Sequence, residues 1–237
     1  MYSICMATFN GARFLEEQLS SILNSSSTDD CEIIISDDGS TDRTIDILAQ
    51  FAQSEPRIRI LQGPRRGVVD NFANALAHAR GDVIFLSDQD DIWQPEKVQS
   101  VLTQMENPEI LAVVHNALLV DEKGNSLNTT MFDLRHSGSG LFRNLKRNAF
   151  VGCCMAVRAE LLQIALPFPP GIAMHDWWLG LLAEASGTTA FLDDTLIKYR
   201  RHDSNVSALE HSPLSTMILN RLRLSHALAM RLMRGAV

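Results

Sequence analysis

Along the first 120 residues, short apolar runs alternate with segments whose apolar positions recur every three or four residues. That is the pattern of strands alternating with amphipathic helices on a mostly parallel sheet. Tyr2–Thr8 reads as the first strand, and the helix after it carries Leu15, Leu19, Ile22 and Leu23 on one face. Ser25–Asp30 is polar and reads as a loop. The run Ile33-Ile34-Ile35 inside Glu32–Ser36 is short and β-branched, as suits a strand buried on both faces. Asp37–Asp42 forms a turn into a helix with Ile45, Leu48, Ala49 and Ala52 inward, for which Ser40 or Thr41 is the candidate cap. Arg57–Leu61 and Asp82–Leu86 are the next strands. Between them lies a helix with the stripe Phe72, Ala75, Leu76 and Ala79. Pro95 opens a further helix, where proline is tolerated, and Leu111–Val120 is a further strand.

Beyond Asp121 the pattern weakens. Residues 121–147 are polar, with Gly138 and Gly140, and read as a long irregular excursion of the kind that often carries function. A strand at Val151–Val157, a helix from Ala159, a helix around Asp176–Ala185 and a strand at Leu196–Arg201 complete the domain. The expected architecture is one α/β domain over residues 1–212, with a doubly wound sheet flanked by helices. A helix over 213–237 follows it.

Composition narrows the function classes. Hydrophobic residues make up 46% and charged residues 21%, ordinary for a globular chain and wrong for a disordered one. The net charge of −7 argues against a nucleic-acid surface, which needs a basic footprint, and leaves room for an acidic site that takes a metal. No apolar run approaches the roughly 18 residues of a membrane span. The first residues lack the basic region of a signal peptide, so the expected location is cytoplasmic. Cys5, Cys31, Cys153 and Cys154 adjoin apolar runs and read as buried structural thiols.

The charge is unevenly spread. Residues 213–237 hold four arginines and no acid, giving +4 against −11 for the rest. Leu214, Ile218, Leu222, Ser225, Ala229 and Leu232 fall on one helical face. Arg223, Arg231 and Arg234 lie opposite, with Leu224 and Leu228 among them. Such a helix can pack back on the domain, pair with a second subunit as a homodimer, or rest on anionic lipid at the inner face of the cell membrane.

Two predicted strands end in carboxylates, at Asp37-Asp38 and at Asp88-Gln89-Asp90-Asp91. In a doubly wound sheet the strand C-termini form the edge where ligands bind. An Asp-x-Asp there can offer hard oxygen ligands to Mg²⁺ or Mn²⁺, which often also holds substrate phosphates. Asp-Asp-Gly-Ser is equally a good turn sequence. The combination is more specific. Ala7-Thr8-Phe9-Asn10 follows the first strand, Ser36-Asp37-Asp38-Gly39-Ser40-Thr41-Asp42 the second, and Asp88-Gln89-Asp90-Asp91-Ile92-Trp93 the fourth. That order resembles the family 2 glycosyltransferases with a GT-A fold. Gly152-Cys153-Cys154-Met155, His175-Asp176-Trp177-Trp178 and Tyr199-Arg200-Arg201-His202 resemble its later blocks. The variant Asp-Gln-Asp-Asp-Ile-Trp is similar to bacterial members described as rhamnosyltransferases.

The resemblance implies roles position by position. Ala7, Thr8 and Asp38 would lie in the nucleotide pocket, Asp38 accepting from a pyrimidine ring N–H, with Asp88 beside them. Asp88 and Asp90 would form the Asp-x-Asp on a divalent cation, and His202 would contact metal or diphosphate. Asp91 would support the metal or a donor-sugar hydroxyl. Asp176 would be the general base for an acceptor hydroxyl in an inverting displacement. The chemistry suits these residue types: a departing diphosphate needs positive charge, and a hydroxyl nucleophile gains from a placed carboxylate.

The other candidates divide between binding and packing. His175 orients Asp176 or caps its helix. Trp177 and Trp178 point about 100° apart on a helix, so one is expected in the core and one on the floor of an acceptor pocket. Trp93 stacks on a ligand or packs beside the metal loop. Arg65 and Arg66 meet phosphate or stay solvated, and Asp193-Asp194 reads as a turn. The expected partners are a nucleotide-sugar donor (dTDP-rhamnose or a UDP-sugar) and a glycan or lipid-linked glycan acceptor read by segments 121–147 and 203–212. A bacterial surface polysaccharide is the expected product. Two alternatives stay open: a metal-dependent nucleotidyltransferase, although Asn10-Gly11-Ala12-Arg13 poorly matches its Gly-rich basic loop, and a non-catalytic nucleotide- or glycan-binding relative.

Overall fold

The computed structural model describes residues 1–26, 30–203 and 214–235. Segment 203–212, expected to help read the acceptor, lies outside the described residues except for its first member. So do the expected boundary at 212 and the side chains of Leu214 and Arg234.

The first half follows the alternating pattern closely. Strands β1 (Tyr2–Thr8), β2 (Cys31–Asp37), β3 (Ile58–Gln62) and β4 (Val83–Ser87) alternate with helices α1 (Leu15–Ser25), α2 (Thr44–Ser54) and α3 (Val68–Ala77). They pair parallel in the order β3-β2-β1-β4. Right-handed crossovers then put α1 and α2 on one face and α3 on the other. All seven residues of β1 and all five of β4 are buried, which is why both read as continuous apolar runs. The cap of α2 is neither Ser40 nor Thr41. Arg43 takes that place without a side-chain cap bond, and Asp42 just before it accepts from Thr44 N at 3.0 Å through Oδ1.

The second half is mixed rather than parallel. It contains β5 (Ile92–Trp93), α4 (Lys97–Gln104), β6 (Ile110–Val120), β7 (Ser126–Thr130), α5 (Met131–Arg135) and α6 (Leu141–Lys146). A single 3-10 turn (Gly152–Cys154), β8 (Met155–Arg158), α7 (Ala159–Ala165), α8 (His175–Ser186) and β9 (Thr188–Arg200) follow. The sheet continues from β4 through β8, β6 and β9 to β5. β8 lies antiparallel to both β4 and β6, and β6 and β9 are parallel.

Three expectations change here. Residues 121–147 are not an irregular excursion. β7 is a polar strand paired to β6, and α5 is capped by Thr130, whose Oγ1 accepts from Asp133 N at 3.3 Å. Pairing through the backbone of solvent-facing residues leaves no apolar alternation to read. The first part of the expected strand 151–157 is the turn at Gly152–Cys154. Asp193 and Asp194 sit inside β9, where its register with β6 slips between His115↔Leu192 and Asn116↔Thr195, so the acidic pair marks a bulge rather than a turn.

The C-terminal helix α9 (Leu214–Gly235) packs back on the domain, but by the face opposite to the expected one. Leu224 and Leu228 are buried, Arg221 donates to Lys146 O, and Arg231 donates to the carbonyls of Ile164, Leu166 and Pro167. The stripe of Ile218, Leu222 and Leu232 is exposed. Guanidinium stems cover apolar surface while their heads reach the open carbonyls at the ends of α6 and α7, and this recruits the basic side inward.

Candidate active site

The C-terminal ends of β1, β2 and β4 meet at one edge. Asp37 closes the turn after β2. Its carboxylate accepts from Gly39 N, Ser40 N, Ser40 Oγ and Thr8 Oγ1 at 2.5–3.0 Å. Asp37 is therefore spent on the loop, and Thr8 is spent with it. Ala7 lies beside Ser36 in the ladder, buried at the same edge. Asp38 sits in a nest of backbone donors, Arg65 N (2.6 Å), Arg66 N (3.3 Å) and Gly67 N (2.7 Å), at the start of α3. Arg65 adopts φ 58° so that these amides converge. The Arg65–Arg66 segment thus contributes its main chain, while the Arg66 guanidinium pairs with Asp70 at 3.0 Å. From α3, Asn71 donates to Thr8 O and Ser36 O, tying β1 to β2.

The loop after β4 carries the second acidic group. Gln89 clasps Phe9, accepting from its N–H at 2.9 Å and donating to its carbonyl at 3.1 Å. Ligand-type atoms of Asp88, Asp91 and Cys153 lie within 4.8 Å of one another. Burial, then the charges of Asp90, Asp91 and Asp176, hold the Asp88 carboxyl well above the usual carboxylate range. Burial, reinforced by Asp90, pushes Asp91 up to about 7, although the Cys153 thiol, Arg200 N–H and Lys97 act against it. Asp91 Oδ2 is buried without a hydrogen-bond partner among the described residues. Asp91 therefore forms the floor of the cluster and presents no face to a donor-sugar hydroxyl.

Asp90 turns the other way, its Oδ2 2.8 Å from His202 Nε2. Burial raises its pKa, and His202 opposes that shift. The expected metal set Asp88, Asp90 and His202 is thus divided. Asp88 groups with Asp91 and Cys153, and Asp90 pairs with His202. The donors nevertheless fit a divalent cation: buried carboxylates crowd together, one of them with an unpartnered oxygen, and Lys97 beneath them offsets only part of their charge.

Lys97 and Arg200 carry no mark in the sequence that sets them apart from ordinary surface cations. Lys97 is fully buried, donates to Cys153 O at 2.8 Å, and sits 3.7 Å over the Trp93 ring; burial lowers its pKa to about 8. Trp93 is consequently a packing residue inside the loop, tilted against Phe85 5.9 Å away, and does not face a ligand. Arg200 donates to Asp90 O (3.0 Å), Glu122 O (2.8 Å) and Glu17 Oε2 (2.5 Å), and its N–H reaches Asp91 Oδ1 (3.1 Å). One side chain thereby fixes the acidic loop against α1 and the segment after β6. Arg200 stands in the block Tyr199-Arg200-Arg201-His202 that resembles the family, the one signal that could have found it.

Asp176 occupies the first turn of α8, facing the same cluster. Its Oδ2 accepts from Gly152 N at 3.1 Å and its Oδ1 from Trp177 N at 2.6 Å. Burial raises its pKa to about 6 against those donors. A Cβ at position 152 would come within 3.0 Å of His175 Nε2, so glycine lets the turn approach α8. His175 stacks on Phe72 with ring centroids 3.9 Å apart, both ring nitrogens unpartnered among the described residues, and burial lowers its pKa to about 3. It is a neutral packing ring beneath Asp176 rather than a cap. Trp177 and Trp178 do diverge, donating to Asn144 O in α6 and Ala165 O in α7. Both are nonetheless buried, because α8 is covered on all sides by α3, the sheet, α6, α7 and α9. Neither tryptophan floors an open pocket. A cleft of about 430 Å³ instead flanks the site between α3 and the segment leading to α8, lined in part by Arg66, Asp70, Phe168 and Ile172.

Comparison with known proteins gives the family and the fold. The sequence profile of Glycosyl transferase family 2 matches residues 3–164, and the chain belongs to that family. An uncharacterized glycosyltransferase of Nostoc sp. is 26% identical over 212 residues, covering 86% of this chain and 65% of the relative. The dTDP-rhamnosyl transferase RfbG of Shigella flexneri is 29% identical over 220 residues, covering 84% and 72%. The chain thus spans about two thirds of the length of these relatives. Among solved structures, S. aureus TarS 1-349 in complex with UDP-GlcNAc superposes with a TM-score of 0.71 at 18% identity, covering 98% of this chain and 71% of that one. The mannosyltransferase PcManGT from Pyrobaculum calidifontis, in complex with GDP-Man and Mn²⁺, gives 0.65 at 20% identity, covering 99% and 64%. The fold is that of the GT-A glycosyltransferases.

Proposed function

We propose that the protein transfers a sugar from a nucleotide-sugar donor to a hydroxyl of a glycan acceptor, with inversion at the anomeric carbon. The observation that carries the reading is Asp176: a buried carboxylate with a pKa raised to about 6, aimed by Gly152 N–H toward the Asp88 cluster. A base with that pKa is mostly ionised at neutral pH yet still takes up a proton readily. Asp176 removes the acceptor proton as the acceptor oxygen bonds to the anomeric carbon. The bond from that carbon to the diphosphate oxygen breaks, and the nucleoside diphosphate leaves with the electron pair. A Mg²⁺ or Mn²⁺ held by Asp88, with Asp90 exchanging His202 for the ion, would supply the positive charge that offsets the departing diphosphate. Asp38 and the main chain around it hold the nucleotide, and Arg200 and Lys97 fix the loop that bears the carboxylates.

The RfbG likeness favours a dTDP-rhamnose donor and the TarS likeness a UDP-sugar. A pyrimidine is common to both and suits an acceptor such as Asp38. A role in bacterial surface polysaccharide synthesis, on a glycan or lipid-linked glycan acceptor, follows from the family resemblance of the sequence motifs. Among the described residues no helix is long and apolar enough to cross a membrane.

The test is release of nucleoside diphosphate from a panel of UDP-, dTDP- and GDP-sugars, with and without acceptor glycans and Mn²⁺. Acceptor-dependent release from a pyrimidine donor is expected. Silence with every donor sinks the reading. For the cation, the thermal shift given by Mn²⁺ with a nucleoside diphosphate should disappear in Asp90→Ala; its persistence rejects the metal assignment.

A further inference from the structure

We propose that the face built by α5, α6 and the outer side of α9 docks on an anionic lipid surface. Phe142, on α6, is 84% exposed, far more than a large apolar side chain needs to be in a fold with a well-filled core. Lys146 follows it one turn on, and Arg143 and Arg147 extend from the same short helix. Leu134 of α5 is exposed beside them, where Arg147 donates to its carbonyl. Arg221 of α9 donates to Lys146 O at 3.0 Å, joining α9 to the end of α6. Beyond that joint α9 turns Ile218, Leu222 (63% exposed) and Met233 (61% exposed) outward.

Two independent segments thus place exposed apolar side chains together, and their charge says what they meet. Residues 131–147 and 214–235 together carry +7, while the rest of the chain carries −14. Apolar side chains rimmed by cations are the chemistry of a surface that enters the headgroup layer of an anionic bilayer, where each cation near the surface adds about fivefold in affinity. A second copy seated on this face would bring the same positive charge against it. The bulk of the domain, at −14, faces away from the lipid, so the charge also orients the molecule. Trp177 links α6 to α8, so docking sets the Asp176 end of the site near the bilayer, within reach of an acceptor carried on lipid.

The proposal does not depend on sugar transfer, because vesicle binding is read without turnover. In flotation with vesicles, the protein is expected to rise with phosphatidylcholine containing about one third phosphatidylglycerol, not with phosphatidylcholine alone, and to be released by high salt. Phe142→Asp and Lys146→Glu should each lower the bound fraction, the first by at least about tenfold. Ile45→Asp, on exposed α2, should leave binding unchanged. Phe142→Trp, a conservative reporter, should shift its emission to the blue when anionic vesicles are added, read as the difference from the parent protein. Absent binding, equal binding to both vesicle types, or an unshifted emission from the Phe142→Trp variant overturns the proposal. So does a concentration-dependent dimer in sedimentation that Phe142→Asp dissolves, which would make the face a self-interface.

Discussion

Replacing Asp176 by asparagine keeps the size of the side chain but removes the group proposed to take the proton. Two effects on stability oppose each other. The Asp176 pKa of about 6 lies about two units above an ordinary aspartate, so the ionised form costs the fold about 3 kcal/mol at pH 7. The variant escapes that cost. It also loses an acceptor, since both oxygens take backbone N–H groups and an amide offers only one oxygen, at about 1–3 kcal/mol. Net stability should therefore change little, and any loss of rate belongs to chemistry. General-base catalysis is worth about 10²–10⁴-fold, so kcat should fall by that factor while nucleoside diphosphate affinity stays within about threefold. The pH profile adds a second reading. With a pKa near 6 the base is about one-tenth ionised at pH 5 and nine-tenths at pH 7, so the rate should rise across that interval. Coupled product release measured from pH 5 to 8, with calorimetry for nucleotide binding, tests both. A variant retaining wild-type turnover, or showing the same acid limb, would falsify the assignment.

Stability has its own pH dependence. A carboxyl whose folded pKa exceeds its unfolded value binds more protons when folded, so Asp176 and Asp91 favour the fold below pH 4 and lose that advantage between about 4 and 7. Lys97→Met should then cost about 2–3 kcal/mol in urea unfolding at pH 8, where the carboxylates above it are charged, and clearly less at pH 5; equal losses at both would show that Lys97 does not balance them. In Gly180→Ala the new Cβ would overlap the Phe150 ring, both residues being buried in the core, and Tm should fall by roughly 5–10 °C, from about 2–3 kcal/mol of overpacking; an unchanged melt contradicts that packing. Asp38→Ala strands three converging amides, so nucleoside diphosphate affinity should drop at least about tenfold, as read by calorimetry. Undiminished affinity would remove Asp38 from the nucleotide site.

The first half of the fold was legible because β1, β2 and β4 are buried on both faces and the helices on one, although α2 buries Thr44, Ile47 and Leu48 and leaves the expected Ile45 and Ala49 exposed. β7 escaped because a solvent-facing strand paired through its backbone leaves no apolar rhythm. β9 was read short because its bulge at Asp193-Asp194 looks like a turn. In the site, Asp88, Asp90 and Asp176 were visible as carboxylates at strand and helix ends. Lys97 and Arg200 were not, since burial of a cation depends on what folds over it. The tryptophan pair illustrates the same limit from the other side. Helical geometry correctly makes Trp177 and Trp178 diverge, but it cannot say that α6, α7 and α9 cover both directions.

Arg200 has a consequence for the order in which the site comes into being. The acidic loop is made well before β9, yet its main chain is clamped by a residue more than a hundred positions later, at the end of a strand that lies inside the sheet between β6 and β5. A nascent chain lacking β9 has no partner for β5 and no clasp on the loop of Asp90 and Asp91. Such distant pairings form slowly. The acidic loop therefore becomes rigid only after β9 has been made and paired, so the nucleotide site proposed around it forms no earlier than α8 and β9.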